Sequence, residues 1–583
     1  MRKTAELKPR SVKQVKPGVW VYDFGQNIVG WCQLNVRGPA GTQITLRHAE
    51  TLLPDGPDQG MLYVANLRNA KCRDIYTLKG GVNETYQPRF TYHGFRYAEI
   101  TGFPGRPDAN TLTAYAVSTD LPIVGKFECS NPLVNSIYKC IEWGVRDNYL
   151  SIPTDCPQRD ERQGWQGDRA GESLGEMYMF DNYTLYAKWM KDVQDSQRED
   201  GNLSDVCPNY WPLYSSNVTW PSAFTIIPGS LLKMYGDERP IARHYESMKK
   251  WMEHLKQFIR EDGTIDKDNY GDWCVPPERP ELIHSQDPAR KTVPGILATS
   301  YYIHNLNLLA QYGDMLGKGD ESQEFRNRAD QMTEAFNKRF YNAEKGQYDN
   351  GTQTSCVLPL TFGLVPKEDE TKVFKTLTNN IENVTHNHIG TGLIGGQWLN
   401  LVLDGFNRND IAYTFLTNKD YPSWGYMVEN GATTVWELWN GNTADPAMNS
   451  GNHVMLIGDL VIWLYSKVAG IPAIETAKDG VLTFTPNPGG GLSYAKAEYD
   501  SVYGMIKSSW RLSGGKMFYD VVIPVGQTAK IVLPTSNLDS VREVRGRQFE
   551  KSNVNQEYRS GETKDFVQID VPSGTYSFEC EYK

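Results

Sequence analysis

The 583 residues carry 60 Lys and Arg against 70 Asp and Glu, a net charge of -10 with no basic cluster to oppose it, which argues against nucleic acid as the main partner. No stretch of about 18 apolar residues occurs, so no membrane span is read. Aromatics make up 12%, with 15 Trp and 33 Tyr, a supply of ring faces that suits carbohydrate stacking and core filling equally well.

Met1 to Pro9 has no apolar run and is no signal peptide. A cytoplasmic location is the expectation, or periplasmic or secreted if upstream sequence is missing. Residues 1 to about 124 read as β structure: Trp20 to Phe24, Trp31 to Val36, Gln43 to His48 and Tyr97 to Thr101 are short and β-rich, with Gly or Pro between them. A sheet sandwich is the economical arrangement. Near Gly125 the period changes. Asn131-Pro132 predicts a helix start, followed by Leu133, Ile137, Cys140 and Ile141 on one face. Helical spacing then dominates to about residue 470. The clearest stripe is Ile241, Tyr245, Met248, Met252, Leu255 and Ile259, and Tyr302 to Leu316 and Phe325 to Phe336 repeat it.

Long loops rich in Trp, Pro, Asn and Gly interrupt the helices at 202–221, 270–294 and 421–452, and an active cleft is expected where they converge. After Ile471 the period returns to two. Lys516 to Pro524 and Ala529 to Pro534 read as strands around a Gly526 turn, with Gly574 to Glu581 closing a second sandwich. The nine cysteines are scattered and never spaced Cys-x-x-Cys, which predicts reduced, mostly buried thiols. His386 and His388 have no third ligand at a recognisable spacing.

The chemistry concentrates in 152–168. There Asp155, Asp160, Glu161 and Asp168 alternate with Arg159 and Arg162 beside Trp165, and Pro153, Pro157, Gly164 and Gly167 break any regular helix. Carboxylates in ion pairs stay charged while a less compensated one keeps its proton, as acid/base chemistry requires. The plainer alternative is a salt-bridged surface loop in which Asp168 caps the next helix. Glu437 lies between Trp436 and Trp439 in a Gly- and Asn-flanked segment, and is either a desolvated functional carboxyl or a helix-start Glu beside core aromatics. Two carboxyls from distant segments, each beside Trp, meet the needs of glycoside hydrolysis. Trp165, Trp220 and Trp273 are candidate sugar walls or core residues. His453 is read as opening a helix, where its imidazole stays neutral and can donate to a hydroxyl.

The run Asp155-Cys156-Pro157-Gln158-Arg159-Asp160-Glu161-Arg162, then Gly164-Trp165 and Gly167-Asp168, with Thr434-Val435-Trp436-Glu437-Leu438-Trp439, resembles the bacterial α-L-rhamnosidases of glycoside hydrolase family 78. Tyr22-Asp23-Phe24-Gly25-Gln26-Asn27 and the C-terminal segment extend the likeness over nearly the whole chain. The resemblance implies an (α/α)₆ barrel at 125–470 between β-sandwich domains at 1–124 and 471–583. It implies inverting, exo-acting hydrolysis of terminal α-L-rhamnose, with no metal or cofactor in the chemical step. Glu161 would be the general acid and Glu437 the general base. Asp155 and Asp168 would hold sugar hydroxyls, Trp165, Trp220, Trp273 and His453 would shape the pocket, and Asp160 is counted with the substrate-binding residues. Inversion would require the two carboxyl groups about 6.5 to 9.5 Å apart. Expected partners are rhamnose-containing glycosides or oligosaccharides, with a homodimer carried as a further expectation. Another (α/α)₆-barrel hydrolase and a non-catalytic carbohydrate-binding protein are the competing readings.

Overall fold

The computed structural model describes residues 1–444, 448–472 and 480–582. Six antiparallel strands lie side by side in the first sheet, in the order Arg2–Leu7, Leu112–Ser118, Val19–Val36, His93–Thr101, Gln43–Ala49 and Arg73–Thr77. Ser11–Lys16 and Glu84–Tyr86 pair with the long third strand. The two strands predicted at Trp20 to Phe24 and Trp31 to Val36 are thus one strand. Its register slips between Asp23 and Ile28, where Gly25 has φ 76° and donates its amide to Asp23 Oδ1 at 2.7 Å. A glycine in a strand marks such a bulge as readily as a strand end. Trp20, Tyr22, Phe24, Ile28 and Leu34 form a core of this sheet's own.

Helices occupy the centre of the chain. Asn131 caps Pro132–Asp147 by accepting the Leu133 amide at 3.0 Å, and Pro132 at the first turn forfeits no hydrogen bond. The long stripe becomes Arg239–Leu255, burying Ile241, Tyr245, Met248, Met252 and Leu255; Ile259 falls beyond the 3₁₀ turn Lys256–Phe258. The other two stripes become Pro294–Met315 and Gly319–Phe340, packed on each other. Among the described residues no helix is long and apolar enough to cross a membrane.

The last sheet runs Gly125–Cys129, Tyr494–Ser501, Gly504–Ser513, Lys516–Leu533, Thr563–Glu581 and Arg542–Glu543. Its first strand comes from before the helices, at a place the sequence assigned to the helical domain. The period-two signal in 125–129 is five residues long, too short to stand out beside a helix start. Phe127, Tyr178, Tyr465, Tyr499 and Trp510 belong to one core shared by helices and sheet. Gly526 again sits in a bulge, so Lys516–Leu533 is a single strand. All nine cysteines are buried and unbridged.

Candidate active site

Residues 152–168 form a buried irregular segment, not a surface loop: Asp155 and Arg159 are each 1% exposed. Its shape depends on close contacts to the protein itself. A Cβ on Gly164 would lie 2.1 Å from the Cys207 carbonyl oxygen, and one on Gly167 would meet the Trp220 ring at 2.5 Å. Both glycines therefore serve packing against the protein itself. Asp168 sits in the 3₁₀ turn Gly167–Arg169, not at the cap of the helix Ser173–Met179, which follows Glu172.

Arg159 is the hub. Its Nη1 and Nη2 donate to the two oxygens of Glu437 at 2.8 and 3.2 Å, and Nη1 also donates to the Met448 carbonyl at 2.7 Å. Nη2 forms a salt bridge to Glu161 Oε2 at 2.8 Å. The two glutamates, 276 positions apart in sequence, thus face each other across one guanidinium. Glu161 further accepts the Trp165 indole N–H at 2.8 Å and Arg68 Nη1 at 2.8 Å. Glu437 is held by the Ser450 amide at 2.9 Å, in a loop rather than at a helix start.

Asp155 and Asp168 are buried beside them. Asp155 Oδ1 accepts the Gln163 amide at 2.7 Å, whereas Oδ2 has no hydrogen-bond partner among the described residues. Burial, reinforced by the charge of Glu161, pushes the Asp155 carboxyl up to about 7. Burial and then the neighbouring Asp155 push Asp168 well above the usual carboxyl range. His453 Nε2 faces Asp168 Oδ2 at 3.8 Å and Asp155 Oδ2 at 4.0 Å. Its Nδ1 accepts the Val454 amide at 3.0 Å, so the proton resides on Nε2, directed at these carboxyls. Burial, and next Arg159, hold the imidazole well below its ordinary value, hence neutral. The next α-helix begins only at Leu460; the Val454 and Met455 amides bond the His453 ring, an alternative to helical pairing, so His453 opens no helix.

These groups line one cavity of about 290 Å³, shared by Asp155, Glu161, Trp165, Asp168, Trp220, Trp273, Glu437 and His453. Every residue read from the sequence as part of the site lines it except Asp160. That side chain is exposed and its carboxylate accepts the Asn69 amide at 3.3 Å. Arg68, Tyr270, Met448 and Met455 line it as well and were missed. Tyr270 had a signal, being three residues before Trp273 in a named loop. Arg68 had none, because it reaches across from the first sheet domain.

The aromatic walls are fixed from behind. Tyr270 donates to Asp205 at 2.7 Å and packs against Trp220 with ring centres 4.5 Å apart. Asp272 accepts the amides of Gly392, Ile394 and Gly395 at 2.9, 2.8 and 3.2 Å together with the Thr354 hydroxyl, which locks the neighbouring Trp273. A second compartment of about 770 Å³, lined by Tyr270 and Trp273 and then by Val275, Pro288 and Val293, adjoins the first.

Among the described residues, two groups have metal-ligating atoms close together: Asp155, Cys156 and Glu161 here, and His48, Asp74 and His93 in the first sheet. In the latter the imidazoles stack at 4.3 Å and 15°, and His93 Nε2 bonds Asp74 at 3.1 Å. Near-parallel rings direct their in-plane nitrogens alongside one another, a poor geometry for sharing one ion.

A model described as the bacterial alpha-L-rhamnosidase 6 hairpin glycosidase domain matches residues 122–468, more than half of the chain. The chain belongs to the bacterial α-L-rhamnosidase family. The family's concanavalin-like and C-terminal domain models match 13–118 and 480–548. Among α-L-rhamnosidase relatives, that of Streptomyces avermitilis is 36% identical over 94% of this chain and 51% of its own length. One from Formosa agariphila is 32% identical over 97% and 60%. The crystal structure of the Streptomyces avermitilis α-L-rhamnosidase complexed with L-rhamnose superposes with a TM-score of 0.90 at 34% identity, covering 100% of this chain and 54% of that one. The Dictyoglumus thermophilum α-L-rhamnosidase gives 0.89 at 35%, covering 100% and 64%. The chain therefore spans roughly half to two thirds of the length of these family members.

Proposed function

We propose that the chain is an inverting, exo-acting α-L-rhamnosidase. The observation that carries the hydrolase reading is the meeting of Glu161 and Glu437 on one guanidinium, in a cavity walled by Trp165, Trp220 and Trp273; the inverting course is taken from the family resemblance and is tested by the anomer first released. The cavity volume suits one sugar ring, which favours a terminal residue over an internal one. Asp155 Oδ2, buried and without a hydrogen-bond partner among the described residues, would be satisfied by a sugar hydroxyl, and the His453 Nε2–H would donate to another.

In this reading Glu161 is the acid, and gives a proton to the glycosidic oxygen as the bond from C1 to that oxygen breaks. Glu437 takes a proton from a water that attacks C1 from the opposite face, and rhamnose leaves with inverted configuration. Arg159 holds the Glu437 carboxylate in place, and the adjoining apolar compartment takes the leaving group. The helical domain is inferred to be an (α/α)₆ barrel over 125–470, between sandwiches at 1–124 and 471–583, with strand Gly125–Cys129 returned to the C-terminal sheet.

Glu161→Gln and Glu437→Gln are each expected to lower turnover of an aryl α-L-rhamnoside by about 10²–10⁴-fold while rhamnose binding stays close to that of the parent. A Gln variant as active as the parent would remove that residue from the mechanism. Rhamnose binding without hydrolysis by the parent would favour a carbohydrate-binding protein.

A further inference from the structure

Arg68 belongs to the first sheet domain, yet its guanidinium lies in the cavity. It directly follows the 3₁₀ turn Ala65–Leu67 and has φ 55° and ψ -115°, a conformation that an L side chain rarely adopts and that persists only where surrounding contacts enforce it. Those contacts are visible. Asn66, two residues earlier, donates to Glu50 Oε2 at 2.9 Å and to the Asn449 carbonyl at 3.3 Å. Glu50 in turn accepts the Gly451 amide at 2.8 Å and Asn27 Nδ2 at 2.9 Å. The turn is thereby fastened to the loop that carries His453 and supports Glu437, and Arg68 is delivered to Glu161 at 2.8 Å.

The two arginines on Glu161 are not equivalent. Arg159 is buried and also serves Glu437 and the Met448 carbonyl, so it is committed wherever the reaction stands. Arg68 has a side chain 31% exposed, and besides Glu161 it contacts Met448 Sδ at 3.7 Å. The other ionisable groups around Glu161 are Asp155 and Cys156 on its own segment, Asp168 on the following turn, and His453 and Glu437 on the two facing loops.

We propose that Arg68 is a positioning residue for the reaction: it orients Glu161 and holds a positive charge against its carboxyl at 2.8 Å. This rests on Glu161 being the acid. A cation at hydrogen-bond distance favours the carboxylate, so its removal extends the protonated form to higher pH.

The test is the pH dependence of kcat/KM with an aryl α-L-rhamnoside for the parent chain, Arg68→Lys and the neutral variants Arg68→Gln and Arg68→Met, with thermal unfolding to establish that each is folded. The alkaline limb is expected to move upward by about one pH unit in both neutral variants and to remain near the parent position in the Lys variant. An unmoved limb in folded Gln or Met variants, or an equal shift in the Lys variant, overturns the proposal. So does complete loss of turnover in folded neutral variants, which would place Arg68 in the chemistry itself. Absence of rhamnoside hydrolysis by the parent refutes the functional reading instead, independently of any Arg68 variant.

Discussion

At the residue scale the site separates carboxyls by their surroundings. Glu161 and Glu437 receive arginines at hydrogen-bond distance, whereas Asp155, 3.7 Å from Arg159, and Asp168 are buried with few donors. Asp155 therefore costs stability while the cavity is empty. Its carboxyl, raised to about 7 from 3.8, binds a proton more tightly when folded than when unfolded. The folded state is favoured by this group at low pH, and the contribution is lost as pH rises from about 4 to 7. Asp155→Asn, which has no such titration and can still accept the Gln163 amide, is expected to be more stable than the parent by about 1–2 kcal/mol at pH 8, with little difference at pH 4, and to bind rhamnose more weakly. Denaturant unfolding at the two pH values measures this. A pH-independent difference would mean that Asp155 is ionised throughout.

At the element scale the catalytic segment is shaped by what packs behind it. Gly167 carries no positive φ, so its need for glycine is purely steric, the Trp220 ring standing where a Cβ would be. Gly167→Ala is expected to destabilise by about 1–3 kcal/mol and to raise KM for a rhamnoside by displacing Trp220. A parent-like unfolding temperature and KM would show that Trp220 yields freely. Helices were legible because their buried stripes repeat over four or more turns, as in Ile241 to Leu255. Strand ends were not: a bulge at Gly25 or Gly526 has the same local sequence as a turn, and pairing partners in the long strands decide between them. His453 lines the cavity but was wrongly read as a helix start, since the bonds from the Val454 and Met455 amides to its own ring have no periodic signature.

For the whole molecule, the candidate site is assembled across domains. Motif residues within 152–168 and 434–439 were visible because the chemistry concentrates rare residue types there. Arg68, Glu50 and Asn66 were invisible because their roles exist only once the first sheet is seated on the helical domain. The C-terminal sheet is joined more intimately still, through a strand taken from before the helices and a core common to both. Such an arrangement makes the three parts one structural unit, and the proposed function depends on the division of labour between Glu161 and Glu437. The most direct measurement is NMR of an aryl α-L-rhamnoside during hydrolysis, recorded before mutarotation mixes the anomers. Single displacement by water with Glu437 as base predicts β-L-rhamnose as the first sugar seen. First appearance of the α-anomer would contradict it and make Glu437 a nucleophile.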